Sequence, residues 1–277
     1  MIIDWKIIAL NIYDKIKGKV ALLEKKPTLN AILVWNNPAS LRYIKQKQKW
    51  AEYTWIDFNL VKFNENISEE ELLKQINIFN SNKNINWYIV QLPLPNHIDE
   101  NIIIDSILPE KDVDWFHPMN QWKILIWDNS WLVSCTPAWI MEIFKSQYID
   151  LVWKTVCVIG RSNIVWKPIT ALLINAWSTV ISCNSNTKNI KDFTKKSDIV
   201  ILAAWKPWLL EKNMLKKWSV VIDVWFSVID NVIYWDAKTE EINLAWHKIT
   251  PVPGWVWVLT VALLMKNTFK AYENQNK

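Results

Sequence analysis

Ser40, Tyr43 and Lys47 stand at i, i+3 and i+7, so a helix carrying them presents a hydroxyl, a phenol and an amine on one face. A phenol packed against an amine shields it from water, which lowers the amine's pKa and makes it usable for proton transfer near neutrality. A solvated lysine face has the same spacing, with Lys45 and Lys49 beside it, and on this motif alone that is the better reading. Gln91 follows the run Tyr88-Ile89-Val90 and precedes Leu92-Pro93-Leu94-Pro95. That order places a carboxamide at the carboxyl edge of a sheet, where open α/β folds bind ligands. Asp112 and Asp114, two acids beside a turn, could grip an amino-substituted heterocycle; singly, each reads better as a turn residue. The segment Val156 to Pro168 reads as strand, glycine turn and helix, with Gly160, Arg161 and Ser162 where a phosphate would meet a helix N-terminus. The next run ends in Cys183-Asn184-Ser185-Asn186 with no acid for a ribose 2′-hydroxyl. Arg161 with Ser185 could hold a 2′-phosphate instead, which favours NADP.

These side chains need a scaffold, and the patterning predicts one. Strands are expected at 31–34, 88–92, 155–159, 179–183, 199–203 and 220–224, with helices at 39–54, 68–80, 168–175 and 260–272. Ser68 and Glu71 have capping-box spacing at one helix start. Asn37 reads as another N-cap, with Pro38 at the first helical position. Alternating strand and helix over this length indicates an α/β protein with largely parallel sheets. No internal repeat or low-complexity stretch interrupts it.

The chain has 277 residues, 51% hydrophobic and 21% charged, with a net charge of +5. Disorder and collagen-like repetition are excluded, and one or two ordinary domains fit. Cys135, Cys157 and Cys183 are odd in number and widely spaced, so neither a disulfide framework nor a metal site is expected, and a reducing, cytoplasmic setting is. Met1-Ile2-Ile3-Asp4-Trp5-Lys6 does not read as a signal peptide, and no uncharged stretch is long enough for a membrane span. Lysines are scattered without a block of like charge, which argues against nucleic acid as a partner. One pair of counts is anomalous: 3 glycines and 21 tryptophans. Ordinary usage of about 7% glycine would supply on the order of twenty. Trp35, Trp177, Trp205, Trp208 and Trp225 fall at ends of elements and in turns, where positive φ or close backbone approach is wanted and an indole offers neither. The expectation is that most of these tryptophans are UGA codons read as glycine by the source organism.

Seven segments together resemble the bifunctional methylenetetrahydrofolate dehydrogenase/methenyltetrahydrofolate cyclohydrolase family. They are Asn37-Pro38-Ala39-Ser40 with Tyr43 and Lys47, then Gln91 to Pro95, Lys111 to Pro118, Ser134 to Pro137, Gly160 to Pro168, Val221 to Val224, and Ile249 to Gly254. They span nearly the whole chain in the family's order and are jointly specific. The resemblance implies two α/β domains: a catalytic folate-binding domain at 1–137 with a returning helix at 258–277, and a Rossmann-type NADP-binding domain at 138–257. It implies that Lys47 is the general acid/base of hydrolysis, that Tyr43 stacks on the folate, that Gln91 tunes the lysine, and that Asp114 grips the pterin amino group. Gly160, Arg161, Ser162, Ser185 and Phe226 fall on the family's cofactor contacts. A homodimer acting on tetrahydrofolate one-carbon derivatives is implied as well. The family carries glycine at eighteen of the twenty-one tryptophans, leaving Trp50, Trp131 and Trp246 ambiguous. Asn184 and Asn186 depart from the histidine and basic residue common there, Phe226 replaces an aliphatic residue, and Val258-Leu259 replaces Pro-Met. A short-chain dehydrogenase also uses Ser, Tyr and Lys, but its nucleotide loop precedes the tyrosine, whereas here Gly160 follows Tyr43. A binding-only paralogue with genuine tryptophans is the other alternative.

Overall fold

The computed structural model describes residues 5–35, 37–128, 132–230, 232–245, 247–250 and 256–276. Asn36, Trp131, Trp246 and the 251–255 part of the last motif lie outside the described residues, as do the side chains of Ala39, Phe226 and Trp257. The chain divides into two compact units, one of residues 9–135 and 260–277, the other of residues 1–8 and 136–259.

In chain order the first unit holds most of α1 (Trp5–Val20), then β1 (Thr28–Val34), α2 (Pro38–Tyr53), β2 (Asp57–Phe63), α3 (Glu69–Ser81), β3 (Tyr88–Val90), α4 (Glu100–Ser106) and α5 (Pro118–Leu125). Its sheet is parallel, in the order β2-β1-β3. The Asp112 segment bridges to Tyr88 and extends the sheet by one contact. β1 is buried along nearly its whole length, as a central parallel strand covered on both faces must be. Ile32, Val34, Leu72, Ile76, Tyr88 and Ile103 share one core cluster, which seats α3 and α4 on the sheet. The capping box at Ser68 forms with both hydrogen bonds present.

The second unit continues with α6 (Cys135–Ser146), β4 (Thr155–Gly160), α7 (Trp166–Asn175), β5 (Thr179–Cys183), α8 (Lys191–Thr194), β6 (Ile199–Ala203), β7 (Val220–Asp223), β8 (Phe226–Ile229), β9 (Val232–Trp235), α9 (Thr239–Leu244) and β10 (Lys248–Ile249). α10 (Val256–Gln275) ends the described chain, most of it in the first unit. The order β10-β7-β6-β4-β5 is parallel throughout, and β8-β9 is an antiparallel hairpin. The chain leaves β4 for β5 on one side and crosses back to β6 on the other, so a topological switch point lies between β4 and β6. The two-domain α/β expectation holds. Sequence patterning did not single out β2, whose half-exposed edge position gives a weak alternation, nor the short strands β8 to β10.

Candidate active site

β1 feeds directly into α2, whose first turn is fixed by the Ser40 N–H donating to Asn37 Oδ1 at 3.2 Å. Along α2, Ser40, Ile44, Lys47 and Ala51 are buried, whereas Lys45 and Lys49 are exposed. The solvated-face reading therefore fails for Lys47 alone of the three lysines. An ammonium is not taken out of water without a partner. Lys47 Nζ donates to Gln91 Oε1 at 3.0 Å, across the gap from α2 to the end of β3. Gln91 Nε2 in turn donates to the Leu92 carbonyl at 2.6 Å, which orients the amide with its oxygen toward the lysine. Ser40 Oγ reaches the same carbonyl at 3.5 Å. Tyr43, one turn before Lys47, is half-buried, and burial raises its phenol pKa, so it stays neutral.

The two acids divide their work. Asp112 accepts from the backbone N–H of Trp115 at 2.9 Å, from that of His117 at 2.9 Å, and from Asn120 Nδ2 at 3.1 Å. It is the turn organiser, and burial pushes its carboxyl up to about 6 despite those bonds. Asp114 faces inward instead: burial raises its pKa, and the nearby Lys47 ammonium pulls it back down. Lys111 is structural, since its ammonium donates to the carbonyls of Phe79, Asn80 and Asn82 at the end of α3. Lys47 is paired with Gln91, and Asp114 lies near enough for the lysine charge to act on it, which gathers a donor, an amide and a carboxylate in one region. Such a set can move a proton and hold an amino-substituted ring.

In the other unit, Gly160 ends β4 with φ 153, and a Cβ there would lie 2.5 Å from the Ala203 carbonyl oxygen of β6. Only glycine lets the strands approach so closely at the switch point. A cavity of about 700 Å³ opens beyond it, lined by Gly160, Arg161, Ser162, Asn163, Trp166, Lys167, Asn184 and Asn186. Two cations and no carboxylate face this space. Ser162 Oγ accepts from the N–H groups of Val165 and Trp166 at 3.2 and 3.3 Å, shaping the entry to α7. Asn184 and Asn186 flank Ser185 in a tight turn closed by the Asn186 N–H donating to Asn184 Oδ1 at 2.9 Å. A glycine cradle, a helix start and paired cations suit a phosphorylated dinucleotide. Phe226 opens β8, and its side chain lies outside the described residues. Sequence spacing does not single out Lys167 or Asn120, because an isolated lysine or amide carries no periodic signal.

Comparison with known proteins agrees in both units. Residues 3–114 match tetrahydrofolate dehydrogenase/cyclohydrolase, catalytic domain, and residues 134–276 match tetrahydrofolate dehydrogenase/cyclohydrolase, NAD(P)-binding domain. The bifunctional protein FolD of Nautilia profundicola is 42% identical over 99% of this chain and 97% of its own. The crystal structure of the bifunctional FolD dehydrogenase/cyclohydrolase of Campylobacter jejuni is 37% identical, with a TM-score of 0.95 and 99% of each chain covered. The FolD structure of Trypanosoma brucei, complexed with NADP cofactor and an inhibitor, is 30% identical with a TM-score of 0.92, covering 100% of this chain and 98% of its own.

Proposed function

The chain belongs to the tetrahydrofolate dehydrogenase/cyclohydrolase family, and on that premise we propose that it oxidises 5,10-methylenetetrahydrofolate with NADP and hydrolyses the methenyl product to 10-formyltetrahydrofolate. The observation that carries this reading is the buried Lys47–Gln91 hydrogen bond with Asp114 beside it. Asp114 takes the amino edge of the pterin, and Tyr43 offers its ring as a stacking face. NADP, when bound, would supply the acceptor for the hydride that leaves the methylene carbon. Gly160 would admit the dinucleotide backbone, and Arg161, Ser162 and Ser185 would hold its phosphates. In hydrolysis, water adds to the methenyl carbon, Lys47 in its neutral amine form takes a proton from it, and the ammonium so formed protonates the ring nitrogen that leaves. Gln91 Oε1 keeps one N–H of that amine occupied, so the remaining face of Nζ points at substrate. Steady-state assays test this: NADP-dependent oxidation and methenyl hydrolysis are both expected, with NADP preferred over NAD. Failure of both activities in folded enzyme would reject it.

The reading extends to the tryptophans, most of which stand for glycine. Among the described residues, nine tryptophans adopt positive φ: Trp35, Trp55, Trp115, Trp127, Trp153, Trp177, Trp205, Trp208 and Trp218. Only three other non-glycine residues do so, Tyr148, Asn189 and Asp230. Trp225 has no such backbone angle and is supported by the family likeness alone. Trp87 and Trp139 bury indole N–H groups that find no hydrogen-bond partner among the described residues, at a cost of about 1–3 kcal/mol each. Trp50 is different: it lies inside α2 and not at a turn, and it stacks on Tyr13 with ring centroids 3.9 Å apart. UGG codons at the positive-φ positions would overturn this reading. Assembly as a homodimer is supported by Ile229 and Val232, cross-strand partners that expose apolar side chains on one face of the β8–β9 hairpin, which a second copy would cover; sedimentation of the enzyme tests it. Three free cysteines, all buried, support a reducing, cytoplasmic setting. No helix among the described residues is long and apolar enough to cross a membrane.

A further inference from the structure

Asn267 lies in α10, far along the chain from Lys47, Gln91 and Asp114, and its side chain is buried. Its Nδ2 donates to the Val113 carbonyl at 3.2 Å and to the Val133 carbonyl at 2.9 Å, and lies 3.8 Å from Cys135 Sγ. A carboxamide nitrogen carries two hydrogens, so the two carbonyls use both. Val113 immediately precedes Asp114, and Val133 immediately precedes Ser134 and Cys135. The Cys135 thiol is close enough to Asp114 and Lys47 for both charges to act on it. One amide therefore ties together the two loops that border the carboxylate and the lysine.

We propose that Asn267 is a positioning residue for folate binding, acting through Asp114; this rests on the reading of function above. Asp114 is held from both sides. Downstream, Asp112 grips the N–H groups of Trp115 and His117. Upstream, the Val113 carbonyl is held by Asn267. Its neighbour Thr268 spends its hydroxyl on the Leu264 carbonyl within the helix, so it does not share this task. Without the amide, the Val113 peptide can rotate, and the carboxylate loses its fixed aim at the pterin.

The test is Asn267→Ala, with Asn267→Ser as a milder variant that keeps one hydroxyl donor and leaves a smaller void. Asn267→Ala should raise the folate KM about tenfold, the size of one lost hydrogen bond of about 1.4 kcal/mol. Asn267→Ser should give a smaller rise, and the KM for NADP should not move in either. In an Asp114→Ala background, Asn267→Ala should raise the folate KM no further, because the residue it serves is gone. A structural role alone would instead lower the active fraction and leave the folate KM unchanged. That result, or additive effects in the double variant, would overturn the proposal. Absence of turnover in the unsubstituted enzyme would reject the function itself, a distinct failure.

Discussion

At the scale of single residues, burial singles out which of several similar side chains is the candidate for chemistry. Lys45, Lys47 and Lys49 look alike along the sequence, yet only Lys47 is buried and paired with an amide oxygen. Replacing it by methionine keeps the length and apolar packing of the stem but removes the proton carrier. Lys47→Met should therefore abolish methenyl hydrolysis in steady-state assay while hydride transfer survives in part, because hydride transfer depends on alignment of donor and acceptor. Unchanged hydrolysis would reject Lys47 as the acid/base. Tyr43 and Lys47 were legible as candidates because their spacing is local to one helix, and Gln91 because it ends an apolar run before two prolines; their pairing across 44 residues was not. The division of work between Asp112 and Asp114 was not. It depends on which carboxylate meets the backbone N–H groups of Trp115 and His117, and two acids at i and i+2 carry no such information.

At the scale of elements, the strands and turns set how close groups can come. The long buried strands β1, β4 and β6 were legible as apolar runs, whereas the edge strand β2 was not, since its exposed side dilutes the pattern. Gly160 shows how tight the switch point is. Gly160→Ala would press a methyl against the Ala203 carbonyl at a backbone angle that side chains rarely adopt, costing roughly 1–3 kcal/mol. Thermal unfolding should shift down, and NADP titration should show weakened binding in whatever folds. The Asp112 turn carries a pH signature. Burial raises its folded carboxyl to about 6, so the folded state holds that proton more tightly than the unfolded chain does. The stabilisation is full below the ordinary carboxylate range and is lost as pH rises through about 6. Asp112→Asn should flatten this part of the profile between pH 4 and 6 in denaturant titrations. It should also lower stability throughout, since an amide NH₂ would face donors that now meet a carboxylate oxygen. A profile unchanged by the substitution would assign the pH dependence elsewhere, for which Asp223 and Asp236, also raised by burial, are the next groups to vary.

At the scale of the whole molecule, the tryptophan count becomes a question of total stability. A left-handed backbone costs an L-residue with a side chain roughly 1–2 kcal/mol relative to glycine. Nine tryptophans carry that conformation. Their combined penalty is on the order of ten kcal/mol, against a typical domain stability of about 5–15 kcal/mol. A chain with indoles at all nine positions would have little or no stability left, and several of those indoles would add exposed apolar surface, Trp153 being 90% exposed. Glycine at the same positions removes the penalty, and of the nine only Trp115 is fully buried in the core. The two versions of the chain, made side by side, should therefore differ sharply. The glycine version should unfold cooperatively and turn over both folate substrates. The tryptophan version should precipitate or melt tens of degrees lower, since each kcal/mol moves the midpoint of a domain this size by about 2–4 °C. Equal melting temperatures and equal activity would mean that the indoles are tolerated where they stand. Peptide masses from the protein made in its own host would then have to show tryptophan at Trp153 and Trp177, the two most exposed of the positive-φ tryptophans.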